Sequence, residues 1–126
     1  MAAEATLYTV LTGYGPLTLL VGTDIYIGTW DQGAGFPLVV AVRLPGGRKE
    51  QVVTGAVVSR LVPFQIEAVA ATESAARAIA DQIENALAAS VPATFADIVF
   101  GSDLYRHEAD AELHRYLVEV DVLEAA

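Results

Sequence analysis

The chain has 126 residues, no cysteine, and sixteen acidic against seven basic side chains, for a net charge of −9. That length and an apolar content of 54% describe one domain with enough core to fold without disulfide staples. The composition excludes a thiolate metal site and leaves too little cationic surface for a sequence-independent nucleic-acid binder.

Charged residues make up only 18%, which argues against disorder and for apolar surface left over for a partner. Arg43, Arg48, Lys49 and Arg60 fall within eighteen residues, and eight of the sixteen acids lie from Asp97 onward. The charge is therefore polarised along the chain, either as ordinary solvated faces or for a use. The first residues lack a basic stretch followed by an apolar run, so no secretory leader is expected. Leu17–Val21 and Pro37–Val42 are too short to span a bilayer.

In chain order, Glu4–Leu11 is expected to be a short helix with Ala5, Tyr8 and Leu11 on one face, broken by Gly13, Gly15 and Pro16. Leu17–Val21 follows as a possible further turn, stopped by Gly22. Asp24–Thr29 is a short strand in which Ile25 and Ile27 alternate with Tyr26, and Trp30–Gly35 is a loop by its Gly and Asp content. Pro37–Leu44 is a continuous apolar run of strand length, expected to be buried on both faces and ended by Pro45-Gly46-Gly47. Arg48–Val58 combines charge, β-favouring valines and Gly55. Its eleven residues fit either a projecting functional arm or an ordinary ordered hairpin.

Leu61–Ser90 is the unit with the clearest pattern. Val62, Phe64, Ile66, Ala68 and Ala70 alternate with Pro63, Gln65, Glu67 and Val69, the period of a strand with one face buried. Thr72 supplies a helix N-cap and Glu73 an acid in the first turn. Ala76, Ile79, Ala80, Ile83 and Leu87 then form an apolar stripe, Glu73, Arg77 and Asp81 lie opposite, and Pro92 closes the element. Phe95–His107 and Glu112–Leu123 are expected to pair antiparallel around Glu108–Ala111, with a bulge at Gly101-Ser102-Asp103. In the last strand Tyr116, Val118, Val120 and Val122 face one way, and Leu117, Glu119, Asp121 and Leu123 the other.

Gly15-Pro16-Leu17, Leu20-Val21-Gly22-Thr23, Ile25-Tyr26, Gln32-Gly33 and Phe36-Pro37 form an ordered set. The strand-to-helix unit at Leu61–Leu87 and Leu113-His114-Arg115-Tyr116 continue it. Together they resemble the tail terminator, or tail completion, proteins of long-tailed phages and gene transfer agents. The resemblance covers nearly the whole chain. Ile27 stands where a proline is expected, and Trp30 replaces a smaller residue, so the detail of that loop departs from the pattern.

The resemblance implies a virion structural protein, assembled in the host cytoplasm, that forms a ring, commonly of six copies, at the head-proximal end of the tail. The ring caps the tail tube, stops its polymerisation and meets the head–tail connector or neck protein. DNA passes through without specific binding, and no membrane is involved. By the same resemblance the arm at Arg48, Lys49, Glu50 and Gln51 contacts the tube or a neighbouring subunit, and Trp30, Asp31 and Gln32 form an interface loop. Glu108, Asp110 and Glu112 are candidate lumen-facing acids, consistent with repulsion of phosphate.

Residue-level chemistry offers little else. If His107 pairs with Glu112, His114 falls opposite Tyr105 and the four share a face. That is a zinc-like set without a recognised ligand spacing, so solvated histidines are the plainer reading. No serine has a nucleophile-elbow setting, and no glycine pair leads into a helix as a phosphate loop does. The expectation is one α+β domain, a mostly antiparallel twisted sheet of about five strands on one main helix plus a short N-terminal helix, with neither cofactor nor catalysis. The alternatives are a head-completion or neck adaptor, and a small-molecule-binding α+β domain using the histidine end.

Overall fold

The computed structural model describes residues 3–28, 35–45, 48–51, 57–91, 97–108 and 113–125. Helices α1 (Ala3–Thr12) and α2 (Gly15–Val21) precede strands β1 (Ile25–Ile27), β2 (Leu38–Arg43), β3 (Arg48–Gln51) and β4 (Val57–Ala70). Helix α3 (Glu73–Ala89) and strands β5 (Asp97–Glu108) and β6 (Leu113–Ala125) complete the order. The fold is α+β, with a six-stranded sheet ordered β1-β2-β4-β6-β5 and β3 beside β4. It is mixed, because β1 runs parallel to β2 while every other pair is antiparallel.

Strand β4 is the spine. Its alternation holds throughout: Val62, Phe64, Ile66, Ala68 and Ala70 are all buried in the core shared with the helices. β6 covers one edge from Ser59 to Ala70, so β2 and β3 share the other edge end to end. Pro63 sits at the junction between them. Its carbonyl accepts from the Leu44 amide at 2.9 Å on that side, so the nitrogen that lacks a proton faces the gap between β2 and β3. A proline is tolerated in this central strand because no ladder bond is asked of it there.

Helix α3 begins as its sequence dictates. Thr72 is extended, and its hydroxyl accepts from the Ala75 amide at 3.2 Å. Arg77 pairs with Glu73 one turn earlier at 3.2 Å and lies over the Tyr116 ring, 5.8 Å from its centre. Ala76, Ile79, Ala80, Ile83, Ala86 and Leu87 are buried against the sheet and the first two helices. The helix ends at Ala89, where the Ser90 hydroxyl donates to the Leu87 carbonyl at 2.6 Å. Pro92 lies outside the described residues.

The N-terminal region differs from expectation. Helix α1 buries Ala3, Leu7 and Leu11, an i, i+4, i+8 stripe, while Ala5 and Tyr8 face solvent. Burial follows the larger apolar area: two leucines and Ala3 outweigh a face that includes Ala5. Gly15 and Pro16 open α2 instead of only breaking α1, since proline at the first helical turn costs no hydrogen bond. Gly22 stops α2 at φ +62, a conformation open to glycine.

Strand β2 carries side chains into two clusters. Val39 and Ala41 join the helix-side core, whereas Leu38 and Val40 join Val69, Tyr26 and Leu113 on the opposite face. Leu38–Ala41 are thus buried on both faces, as expected of the run, whereas Val42 and Arg43 at the end of the strand are exposed. The bulge in β5 appears as a register shift between Phe100 and Asp103. In β6, Val118, Val120 and Val122 are core residues, and Glu119 is exposed on the helix-free face.

Candidate functional site

The basic stretch forms a hairpin arm. β3 pairs with the first part of β4, setting Arg48 opposite Leu61, Lys49 opposite Arg60 and Glu50 opposite Ser59, with a register shift before Gln51. The far end of β6 extends the arm by a third strand, placing Glu124 opposite Arg60 and Leu123 opposite Leu61. The register thus sets two basic positions, Lys49 and Arg60, opposite each other, with the acidic position Glu124 opposite Arg60 on the β6 side. The other candidate sites are less defined. The loop residues Trp30, Asp31 and Gln32 lie outside the described residues, as do Asp110 and Glu112. Glu108 is the last residue of β5, opposite Leu113.

That pairing corrects the expected hairpin register. His107 lies opposite His114 instead of Glu112, and Tyr105 lies opposite Tyr116 instead of His114. The strands are slipped by two residues relative to the expectation, which keeps each residue on its face because side chains alternate with a period of two. His107, His114, Tyr105 and Tyr116 therefore still share one side of the sheet. Among the described residues no three acidic or histidine side chains gather as a metal site.

The helix-free face carries a polar belt next to the Leu38–Val40–Val69 cluster. Arg115 Nη1 donates to Glu67 Oε2 at 3.0 Å, and Gln65 Nε2 donates to Glu67 Oε1 at 3.1 Å. Register places Arg106 opposite Arg115, so Glu67 sits next to a second like-charged pair of positions. Beside this belt Leu44, Pro63, Gly101, Glu119 and Asp121 outline a small groove of about 80 Å³ at the bulge. A Cβ at position 101 would lie 3.3 Å from the Glu119 carbonyl oxygen, so any side chain there requires β6 to give by a few tenths of an ångström.

On the helical side, a wider groove of about 260 Å³ lies where the ends of α1 and α3 meet, lined by Thr9, Val10, Gly13, Tyr14, Ala86, Ala89 and Ser90. The Gly13 amide closes α1 on the Thr9 carbonyl at 3.0 Å. Nearby helical surface is apolar: Leu19 is 87% exposed, and Leu20 and Tyr8 are each more than two-fifths exposed. Sequence patterning did not single out this surface, because its leucines resemble ordinary core positions of an amphipathic helix. Beyond shape, burial and fixed backbone dipoles, these surfaces present no constellation of nucleophile, base and oxyanion donors among the described residues.

The whole domain, and not one cleft, is what known proteins share with this chain. The family model described as "Tail completion protein gp17" matches residues 5–125. The chain belongs to that family. The match runs from α1 to the end of β6. A solved chain titled "Virion of native gene transfer agent (GTA) particle" has the same fold, with a TM-score of 0.77 at 21% identity. The alignment covers 99% of this chain and 96% of that one. No curated protein matches. As a member of the tail completion family, the protein is a structural component of a phage-type tail.

Proposed function

We propose that this protein closes into a ring, most simply of six copies, that caps the head-proximal end of a tail tube, stops its polymerisation and offers a joint to the head–tail connector or neck protein. The family match across residues 5–125 is the observation that carries this reading. The geometry supports it in two ways. The sheet is open, with β1 and β5 at its ends, and ring closure covers strand edges that would otherwise template uncontrolled pairing. The charge of −9 suits a channel through which DNA slides without sticking.

In this reading the arm of Arg48, Lys49, Glu50 and Gln51 reaches a tube or neighbouring subunit, and Trp30, Asp31 and Gln32 form a second contact. Glu108, Asp110 and Glu112 stand toward the lumen. The protein acts by shape and interface complementarity, without turnover or cofactor, at the head-proximal end of the virion after assembly in the host cytoplasm. Co-purification with the major tail tube protein and with the connector protein, each tested separately, checks the assignment. Retention of the tube protein is expected. Retention of the portal-side protein alone would favour a head-completion adaptor instead.

A further inference from the structure

We infer that the helical layer continues from one copy of this chain to the next, the outer face of α2 in one copy packing over the β5 end of its neighbour, with Leu19 and Leu20 against Phe100. The inference rests on the ring reading and names the contact between copies. α1 packs on β1, and α2 leads straight into that strand through Gly22, Thr23 and Asp24, so both helices stand at the β1 end of the sheet. α3 lies over β4 and β6. The sheet then ends in β5, and among the described residues no helix packs over that strand as α3 does over β4 and β6. Phe100 shows the gap. Its ladder partner Val120 is a buried core residue on the helix side, whereas Phe100, one strand further out, is 41% exposed.

Two observations select a second copy as the occupant. The first is the composition of α2, whose only polar side chain is Thr18. Leu17 and Val21 fill its own core, yet Leu19 and Leu20 remain exposed on the other side. A helix that is apolar all round is normally covered all round. Its own β5 cannot cover it, because α3 and the inner strands lie between, whereas the β5 end of another copy supplies the same kind of floor that α3 uses. Different patches at opposite ends of one sheet meet head to tail, the arrangement that closes into a ring. The second is charge. Each copy carries −9, so copies meet with least repulsion where one side brings no charge, and Ala5–Thr23 contains no charged residue.

The test uses the full chain with the tail tube protein, reading assembly by light scattering and folding by thermal melts of the chain alone. Leu19→Lys and Phe100→Glu are each expected to raise the half-assembly concentration at least about tenfold while the melting temperature holds, and the chain carrying both to regain part of the loss. The chain has no cysteine, so introduced thiols react alone. Leu19→Cys chains mixed with Phe100→Cys chains and treated with a short bis-maleimide are expected to give linked dimers that neither variant gives by itself. Normal assembly of both charge variants, no linked dimer from the mixture, or dimers from Leu19→Cys chains alone, the mark of symmetric pairing, would overturn this contact alone. So would a Leu19→Lys ring of normal mass that no longer retains the tube protein, since it assigns the α2 face to the tube. Failure of the unmodified chain to assemble with the tube protein would overturn the ring reading and this contact with it.

Discussion

The Glu67–Arg115 ion pair gives the sharpest test of how the helix-free face is held. It joins β4 to β6 at 3.0 Å, and the side chains of Arg115 and Glu67 are only 17% and 15% exposed. Breaking a fully buried pair from one side costs about 3–5 kcal/mol, because the surviving charge is left desolvated. Here some solvent reaches both groups, so Glu67→Gln and Arg115→Met are each expected to cost about 2–3 kcal/mol. Glu67 accepts from both Arg115 and Gln65, so replacing it weakens two hydrogen bonds, whereas replacing Arg115 removes one of them. Glu67→Gln should therefore be the more damaging of the two. The double variant leaves neither charge behind and should lose less than the sum, with a coupling of about 1–2 kcal/mol. Urea unfolding followed by far-ultraviolet circular dichroism measures all four corners of the cycle. Single losses below about 0.5 kcal/mol that simply add would refute the argument and place this pair among ordinary surface bridges.

Other substitutions probe separate parts of the same account. Thr72→Ala removes the oxygen that caps α3 and should cost about 1 kcal/mol, seen as a fall of about 3–6 °C in melting temperature. Ile83→Ala empties a fully buried position facing the sheet and should cost about 2–5 kcal/mol in a denaturant titration, depending on how far the core collapses. Gly22→Ala forces a side chain onto a backbone at φ +62 and should cost about 1–2 kcal/mol in the same titration. Leu19→Ser, at a residue 87% exposed, should leave folding stability within about 0.5 kcal/mol, so any loss of tube binding it causes reports on an interface.

Period and capping made β4 and α3 legible in advance. Val62 to Ala70 alternate without a break, Thr72 offers the capping oxygen, and the stripe from Ala76 to Leu87 has helical spacing, so local and long-range preferences agree. Where local signals were weak, tertiary packing decided. Either of two faces of α1 was mildly apolar, and the sheet took the one with Leu7 and Leu11, leaving Tyr8 outside. β3 is four residues, three of them charged, and becomes a strand only because the long β4 offers it an edge beyond the end of β2. The β5–β6 register depended on where the connection closes. The pair Glu108–Leu113 closes it, and a slip of two residues leaves the face pattern intact while changing every partner. Of the candidate site, the arm was legible as a charged excursion between strands. The groove between α1 and α3 was not, since it depends on two helix ends meeting that are far apart in the chain.

The mass of the purified chain in solution, measured by light scattering after size exclusion with and without the tail tube protein, tests the central claim most directly. The account predicts a closed ring, either alone or once the tube is present. Six chains of 13.3 kDa give a particle of about 80 kDa plus any bound tube. A compact monomer or dimer that ignores the tube protein at every concentration tested would contradict it.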